Sequence, residues 1–287
     1  MTAVTIIAVP YDSGQRGVRM GRGPLHFLEH GIEAALQEQG YAISVKTVEA
    51  PDGFHTEVGT GFGLYRQVAA EVRTACEGGA FPLVLSGNCG ASTGTTAGCG
   101  GSPLGVIWFD AHGDFNTPET TQSGFLDGMA LAIVAGSCWR PLAATIPGFA
   151  PIPEEHIMHA GARDLDKPEK EALDGSHVTV VDAPTIGERG ITDTLGPALA
   201  MLRERVERVY LHLDLDVIDP REACANGFSA SAPGGLSIAQ VSEAIGMIKE
   251  QFTVAACGIS AYDPTFDPDG RTLQAGLRFA QQALPGL

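Results

Sequence analysis

Short apolar runs alternate along this chain with longer amphipathic stretches. Residues 4–9, 81–85, 104–109, 177–181, 208–213 and 253–259 are rich in aliphatic and β-branched side chains and show little strict polar–apolar alternation. Such continuous runs predict strands of a parallel sheet covered on both faces. Between them, residues 24–39, 64–76 and 191–206 place apolar side chains at helical spacing; Leu25, Leu28, Ile32, Ala35 and Leu36 mark the first. Ser237 and Gln240 have the spacing of a helix-starting capping box, with Leu236 placed to staple it. The alternation predicts an α/β protein with three α/β/α layers. No repeat or low-complexity linker interrupts it, so residues 1–287 are taken as a single domain. The Ala-, Ser- and Gly-rich stretch 222–235 predicts a long functional loop.

The candidate chemistry lies where predicted strands end. Asp110-Ala111-His112-Gly113-Asp114 follows the run 104–109, and His212-Leu213-Asp214-Leu215-Asp216 closes the run 208–213. If the chain stays extended past residue 109, Asp110, His112 and Asp114 share one face. In an open parallel sheet, ligands sit beyond the carboxyl ends of the strands. Two such ends side by side would make an acidic, His-containing pocket for two divalent cations, since clustered carboxylates repel one another without cations between them. Carboxylate and imidazole together suit Mn2+, Fe2+, Co2+ or Zn2+. A carboxylate-bridged pair of such ions lowers the pKa of a shared water and polarises the group under attack, which points to hydrolysis. His26, His30, His55, His156, His159 and His177 lack comparable context and are expected at the surface or in the core. His212 shares the face of Asp214 and is expected to make a core hydrogen bond.

Composition narrows the partners. There are 18 Lys and Arg against 34 Asp and Glu, a formal charge of −16, which disfavours nucleic acid and anionic membranes. No apolar run approaches the roughly 18 residues of a membrane span, and the N-terminus lacks a basic leader. The six cysteines show no CxxC spacing and are expected as reduced thiols, so a cytoplasmic setting is expected.

Asp110 to Asp114, followed by Asn116-Thr117-Pro118, Thr120-Thr121 and Ser123-Gly124, resembles the metal and substrate signature of the arginase family of ureohydrolases. Leu213 to Pro220 resembles that family's second metal motif, the segment Ser13 to Val18 its opening loop, and Gly161-Ala162-Arg163-Asp164-Leu165-Asp166 its arginine–aspartate motif. The resemblance spans nearly the whole chain in family order. It implies a central, mostly parallel sheet of about eight strands and a homo-trimer or homo-hexamer. It also implies two Mn2+ ions bridged by Asp110 and Asp214, with Asp114 completing one site and His112 with Asp216 the other. A metal-bridging hydroxide would then attack a guanidinium or amidine carbon of a small amino-acid-like substrate. Asn116 and Ser123 match positions that hold a substrate α-carboxylate, and Asp166 a position near the α-amino group.

Three positions depart from the family pattern. The usual Gly-Gly-Asp-His-Ser loop is Ser86-Gly87-Asn88-Cys89-Gly90 here, so Cys89 stands where a histidine binds the first metal. It reads either as a sulfur ligand or as a buried inert thiol. Asp127 replaces a histidine that shuttles protons; it reads as a proton carrier, as a partner for a cationic substrate, or as a plain helix-start aspartate. Ala261 replaces a glutamate that contacts the guanidinium, and Asp263, two positions on, reads as a site residue or as a turn residue before Pro264. The first two departures resemble hydrolases of Nω-hydroxy-L-arginine. A formimino substrate, or a metal-binding relative without catalysis, are the alternatives.

Overall fold

The computed structural model describes residues 2–100 and 103–286. Among them the strands are β1 (Ala3–Val9), β2 (Tyr11–Asp12), β3 (Gln15–Arg16), β4 (Ala42–Thr47), β5 (Ala80–Ser86), β6 (Gly105–Phe109), β7 (Ile157–Ala160), β8 (Thr179–Val181), β9 (Arg208–Asp214) and β10 (Thr253–Ser260). β2 and β3 form a small antiparallel ribbon. The other eight join one sheet in the order β4-β1-β5-β10-β9-β6-β7-β8, and its pairings are parallel.

Apolar runs make these strands because both faces of the sheet are covered. Along β1, Val4 and Ile6 enter one core while Ile7 and Val9 enter the other. The first core is closed by helices Gly23–Glu29, Ile32–Glu38, Ile191–Arg203, Ile238–Gln251 and Arg271–Ala283 through Phe27, Ile32, Leu195, Ile245 and Phe279. The second is closed by Glu57–Glu77, Ala91–Cys99 and Ala130–Val134 through Phe62, Val68, Ala97 and Leu131. The predicted three layers are therefore present. Fully buried Leu83, Ile107 and Leu211 each stabilise the fold by about 1.5–3 kcal/mol.

The structure differs from the sequence expectation in four places. β4 lies at the sheet edge and alternates polar and apolar residues, and β7 is four residues with His159 inside, so neither shows a continuous apolar run. The helix expected over 24–39 is two helices, broken where Gly31 takes φ 93°. The helix expected from 64 starts at Glu57, capped by the Thr56 side chain accepting from Gly59 N–H. The stretch 222–235 holds a short helix, Gly227–Ser231, capped by Asn226. The capping box of Ser237 and Gln240 forms as expected.

Candidate metal centre

Sheet order assembles the site. β6 and β9 are neighbours with Phe109 opposite Leu213, so Asp110 and Asp214 leave the sheet side by side. β10 lies against the other edge of β9, with Ser260 opposite Asp214, and β5 follows, with Leu85 opposite Ile259. Four consecutive strand ends thus bring Cys89, Ala261, Asp214 with Asp216, and the 110–114 segment around one cavity of about 280 Å³. Cys89, His112, Asp114, Asn116, Ser123, Asp127, Asp166, Asp214 and Asp216 line it, and Asp110 is buried beside His112.

Donor atoms converge in three overlapping groups, each within 4.8 Å: Cys89, Asp110 and Asp214; Asp110, His112 and Asp216; Cys89, Asp114 and Asp127. The chain does not stay extended past Phe109. Asp114 takes φ 48°, a left-handed turn that carries its carboxylate away from His112 and towards Cys89 and Asp127. The expected single face of Asp110, His112 and Asp114 is therefore divided between two groups.

Backbone and side-chain donors fix each acid. Asp110 accepts from Trp108 Nε1 at 3.0 Å and from His112 N–H at 2.8 Å. Asp214 Oδ1 accepts from Asp216 N–H at 2.7 Å, and its Oδ2 from Cys89 Sγ at 2.9 Å. His112 Nδ1 lies 3.3 Å from both Asp110 and Asp216. Arg163 braces the second acidic segment from behind. Its guanidinium donates to the carbonyls of Asp216, Val217, Ile218 and Ala232 at 2.7–3.3 Å.

Burial pushes the Asp110, Asp114, Asp127 and Asp214 carboxyls above the usual range, and their neighbouring carboxylates push them further. Burial also opposes charge on His112 and Asp216, but their ion pairing outweighs it: the imidazole is raised and the Asp216 carboxyl lowered. Burial raises the Cys89 thiol, and Asp214 adds to this. Asp114 Oδ2 is buried without a hydrogen-bond partner. Buried, mutually repelling carboxylates with an unpaired oxygen are costly on their own and are matched by divalent cations. The mixed oxygen, nitrogen and sulfur donors suit a first-row transition ion.

The residues expected from the family resemblance to face a substrate line the same cavity. Asn116 Nδ2 donates to Asp166 at 3.4 Å, Gln122 Nε2 donates to the same carboxylate at 3.2 Å, and Ser123 Oγ accepts from Phe125 N–H. Sequence reasoning missed Glu169, Asn226, Phe125 and Phe228, which also line the cavity. Buried Glu169 accepts from Phe115 N–H at 3.0 Å, and burial first, then nearby carboxylates, raise it to about 7. Asn226 donates to Ala261 O at 2.7 Å and Asp216 Oδ2 at 3.4 Å while capping the helix that carries Phe228. Phe228 stacks on Phe125 with centroids 5.9 Å apart. Gly113 makes room for Glu169, since a Cβ there would sit 2.7 Å from its carboxyl carbon.

The departures are placed as follows. Cys89 is buried among the donors, so it is not remote from them. Asp127 faces the cavity; it also begins the short 3-10 helix Asp127–Met129, as the helix-start reading expects, but its carboxylate makes no capping bond there and binds Asn88 and Gly90 instead. Ala261 lines the cavity at φ 61°, and Asp263 turns away to accept from Thr265 N–H and Oγ1, a turn role. His212 is in the core, stacked on Trp108 and hydrogen bonded to Tyr210 and Ser260. Burial lowers its pKa to about 3, so it is neutral. Among the described residues the cysteines are free thiols, and no helix is long and apolar enough to cross a membrane.

The sequence model of the Arginase family matches residues 2–285. An arginase of Bacillus caldovelox is 32% identical, with 95% of this chain and 94% of that protein covered. An arginase of Bacillus subtilis is 30% identical, with 98% and 97% covered. The crystal structure of arginase from Bacillus cereus superposes with a TM-score of 0.90 at 27% identity, over 100% of this chain and 99% of that one. The chain belongs to the arginase family, hydrolases acting on the C–N bonds of linear amidines.

Proposed function

We propose that this protein is an amidinohydrolase for an arginine-like α-amino acid whose guanidine is N-hydroxylated and so less basic than that of arginine. The observation that carries this reading is the cavity itself. A dense set of donors on four strand ends faces Asn116, Ser123 and Asp166, while Ala261 leaves the usual guanidinium-facing position without a carboxylate. Asp110, His112, Asp114, Asp214, Asp216 and Cys89 would hold two divalent ions, Mn2+ being the family's choice. When bound, the ions would supply a water acidic enough to ionise near neutral pH and would draw electron density from the carbon under attack.

The residues of the chain do the rest. Asn116 and Ser123 offer neutral donors to an α-carboxylate, and Asp166 offers a carboxylate to an α-ammonium. That arrangement fixes the amino-acid end and directs the amidine towards the acids. Asp127, at the cavity wall, receives or returns a proton as the C–N bond breaks and ornithine-like amine leaves. Phe125 and Phe228 form an apolar rim that limits water at the mouth. A trimer or hexamer in the cytoplasm is the setting we infer.

Purified protein would be incubated with arginine, Nω-hydroxyarginine, agmatine and formiminoglutamate, scoring urea, hydroxyurea and formamide with and without chelator. The reading expects chelator-sensitive hydroxyurea release from the hydroxylated compound and little urea from arginine. Faster turnover of agmatine or of the formimino compound would overturn it.

A further inference from the structure

Asp127 is held from outside its own segment. Its Oδ2 accepts from Asn88 Nδ2 at 2.8 Å and its Oδ1 from Gly90 N–H at 2.9 Å. Both donors come from the loop after β5, where the sequence departs from Gly-Gly-Asp-His-Ser: Asn88 stands at the acid and Gly90 at the serine. Each exchange has a physical reason. An acid at position 88 would set a second carboxylate about 2.8 Å from Asp127. A Cβ at position 90 would lie 2.0 Å from the buried Tyr65 hydroxyl, so a side chain there would require the loop or the Tyr65 ring to shift. Asn88 is itself oriented, because Ser13 N–H donates to its Oδ1 at 2.8 Å and leaves its amide nitrogen for Asp127. Ser13 takes φ 50°, backbone strain placed where the opening loop grips Asn88. Gly87 completes the junction: a Cβ there would meet Tyr11 O at 2.2 Å.

We propose that Asn88, Gly90 and Asp127 are one matched exchange. Asn88 is a positioning residue that holds the Asp127 carboxylate at the cavity wall, where it stands to exchange a proton with the departing amine. This rests on the amidinohydrolase reading above.

The test compares Asn88→Asp, Asp127→His and the double variant, with thermal melting of each, and adds a crystal structure of Asn88→Ala. Each single change is expected to lower kcat/KM at least about tenfold, and the double variant to recover at least about tenfold over Asn88→Asp, because a carboxylate and an imidazolium at that distance attract where two carboxylates repel. A loop merely held in shape by Asn88 would show no such recovery, and melting and activity would fall together. Additive losses in the double variant, or full activity in Asn88→Asp, would overturn the proposal. In the Asn88→Ala crystal the Asp127 carboxylate is expected to swing from the cavity; an unmoved carboxylate would overturn the positioning role. Failure of the function reading shows separately, as an unaltered protein that hydrolyses none of the amidines, and the crystal structure still decides the positioning.

Discussion

Arg163 carries a load that a substitution should expose. It is half-buried, and its guanidinium spans four carbonyls, those of Asp216, Val217 and Ile218 on one segment and Ala232 on another. Replacement by Met keeps the apolar stem and removes all four donors. The two short bonds, to Ala232 O at 2.8 Å and Asp216 O at 2.7 Å, dominate. A charged hydrogen bond contributes about 1.5–3 kcal/mol when buried. Counting only the short pair at the low end, because solvent reaches part of the group, gives a loss of about 3 kcal/mol for Arg163→Met. Arg163→Lys should lose nearly as much, since one ammonium cannot span the fork. Urea unfolding at constant m-value measures this as a lower midpoint. The same variants should bind divalent metal more weakly, because the braced segment carries Asp216. A loss below about 1 kcal/mol in Arg163→Met would refute the reasoning: water would then satisfy those carbonyls equally well.

Other outcomes follow from the same geometry. Asp110→Ala and Asp214→Ala should each strip bound metal while circular dichroism stays unchanged; full metal occupancy by mass spectrometry in either would end the shared-ligand assignment. Glu169 has a folded-state pKa of about 7, raised above its unfolded value, so the fold keeps a proton that the unfolded chain gives up. The part of the metal-free protein's stability that Glu169 contributes should therefore fall as pH rises from about 4.5 to about 7, by at most about 3 kcal/mol, on top of the fall from the other raised carboxyls. Glu169→Gln, which keeps the acceptor for Phe115 N–H, should make the slope between those pH values shallower than in the unaltered protein; an unchanged slope would contradict the shift. Ala261 sits at φ 61°, so Ala261→Gly should be neutral to stabilising by about 1 kcal/mol, read as a rise in Tm, and a clear fall in Tm would argue against strain there.

The layers of the fold and most of the donor set were legible because both are written locally. Apolar runs mark six strands, and the acids that follow β6 and β9 stand directly at strand ends. β4 escaped notice because an edge strand with one solvated face carries polar residues such as Ser44 and Lys46. What stayed hidden depends on distant contacts. Glu169 reaches Phe115 across 54 positions of chain, and Asn226 reaches Ala261 across 35. The left-handed turn at Asp114 is likewise invisible in a DAHGD string, although it decides which donors meet.

The strand order has a consequence for synthesis. β9 and β10 come late in the chain, yet they occupy the middle of the sheet, between β5 and β6. A ribosome that has released the chain only as far as β8 has made two half-sheets whose inner edges are bare, each an invitation to pair with a stranger. The cluster of donor side chains is therefore born in one late step, when about the last hundred residues of the sequence thread home and close the gap. Truncated products should be sticky and inert together.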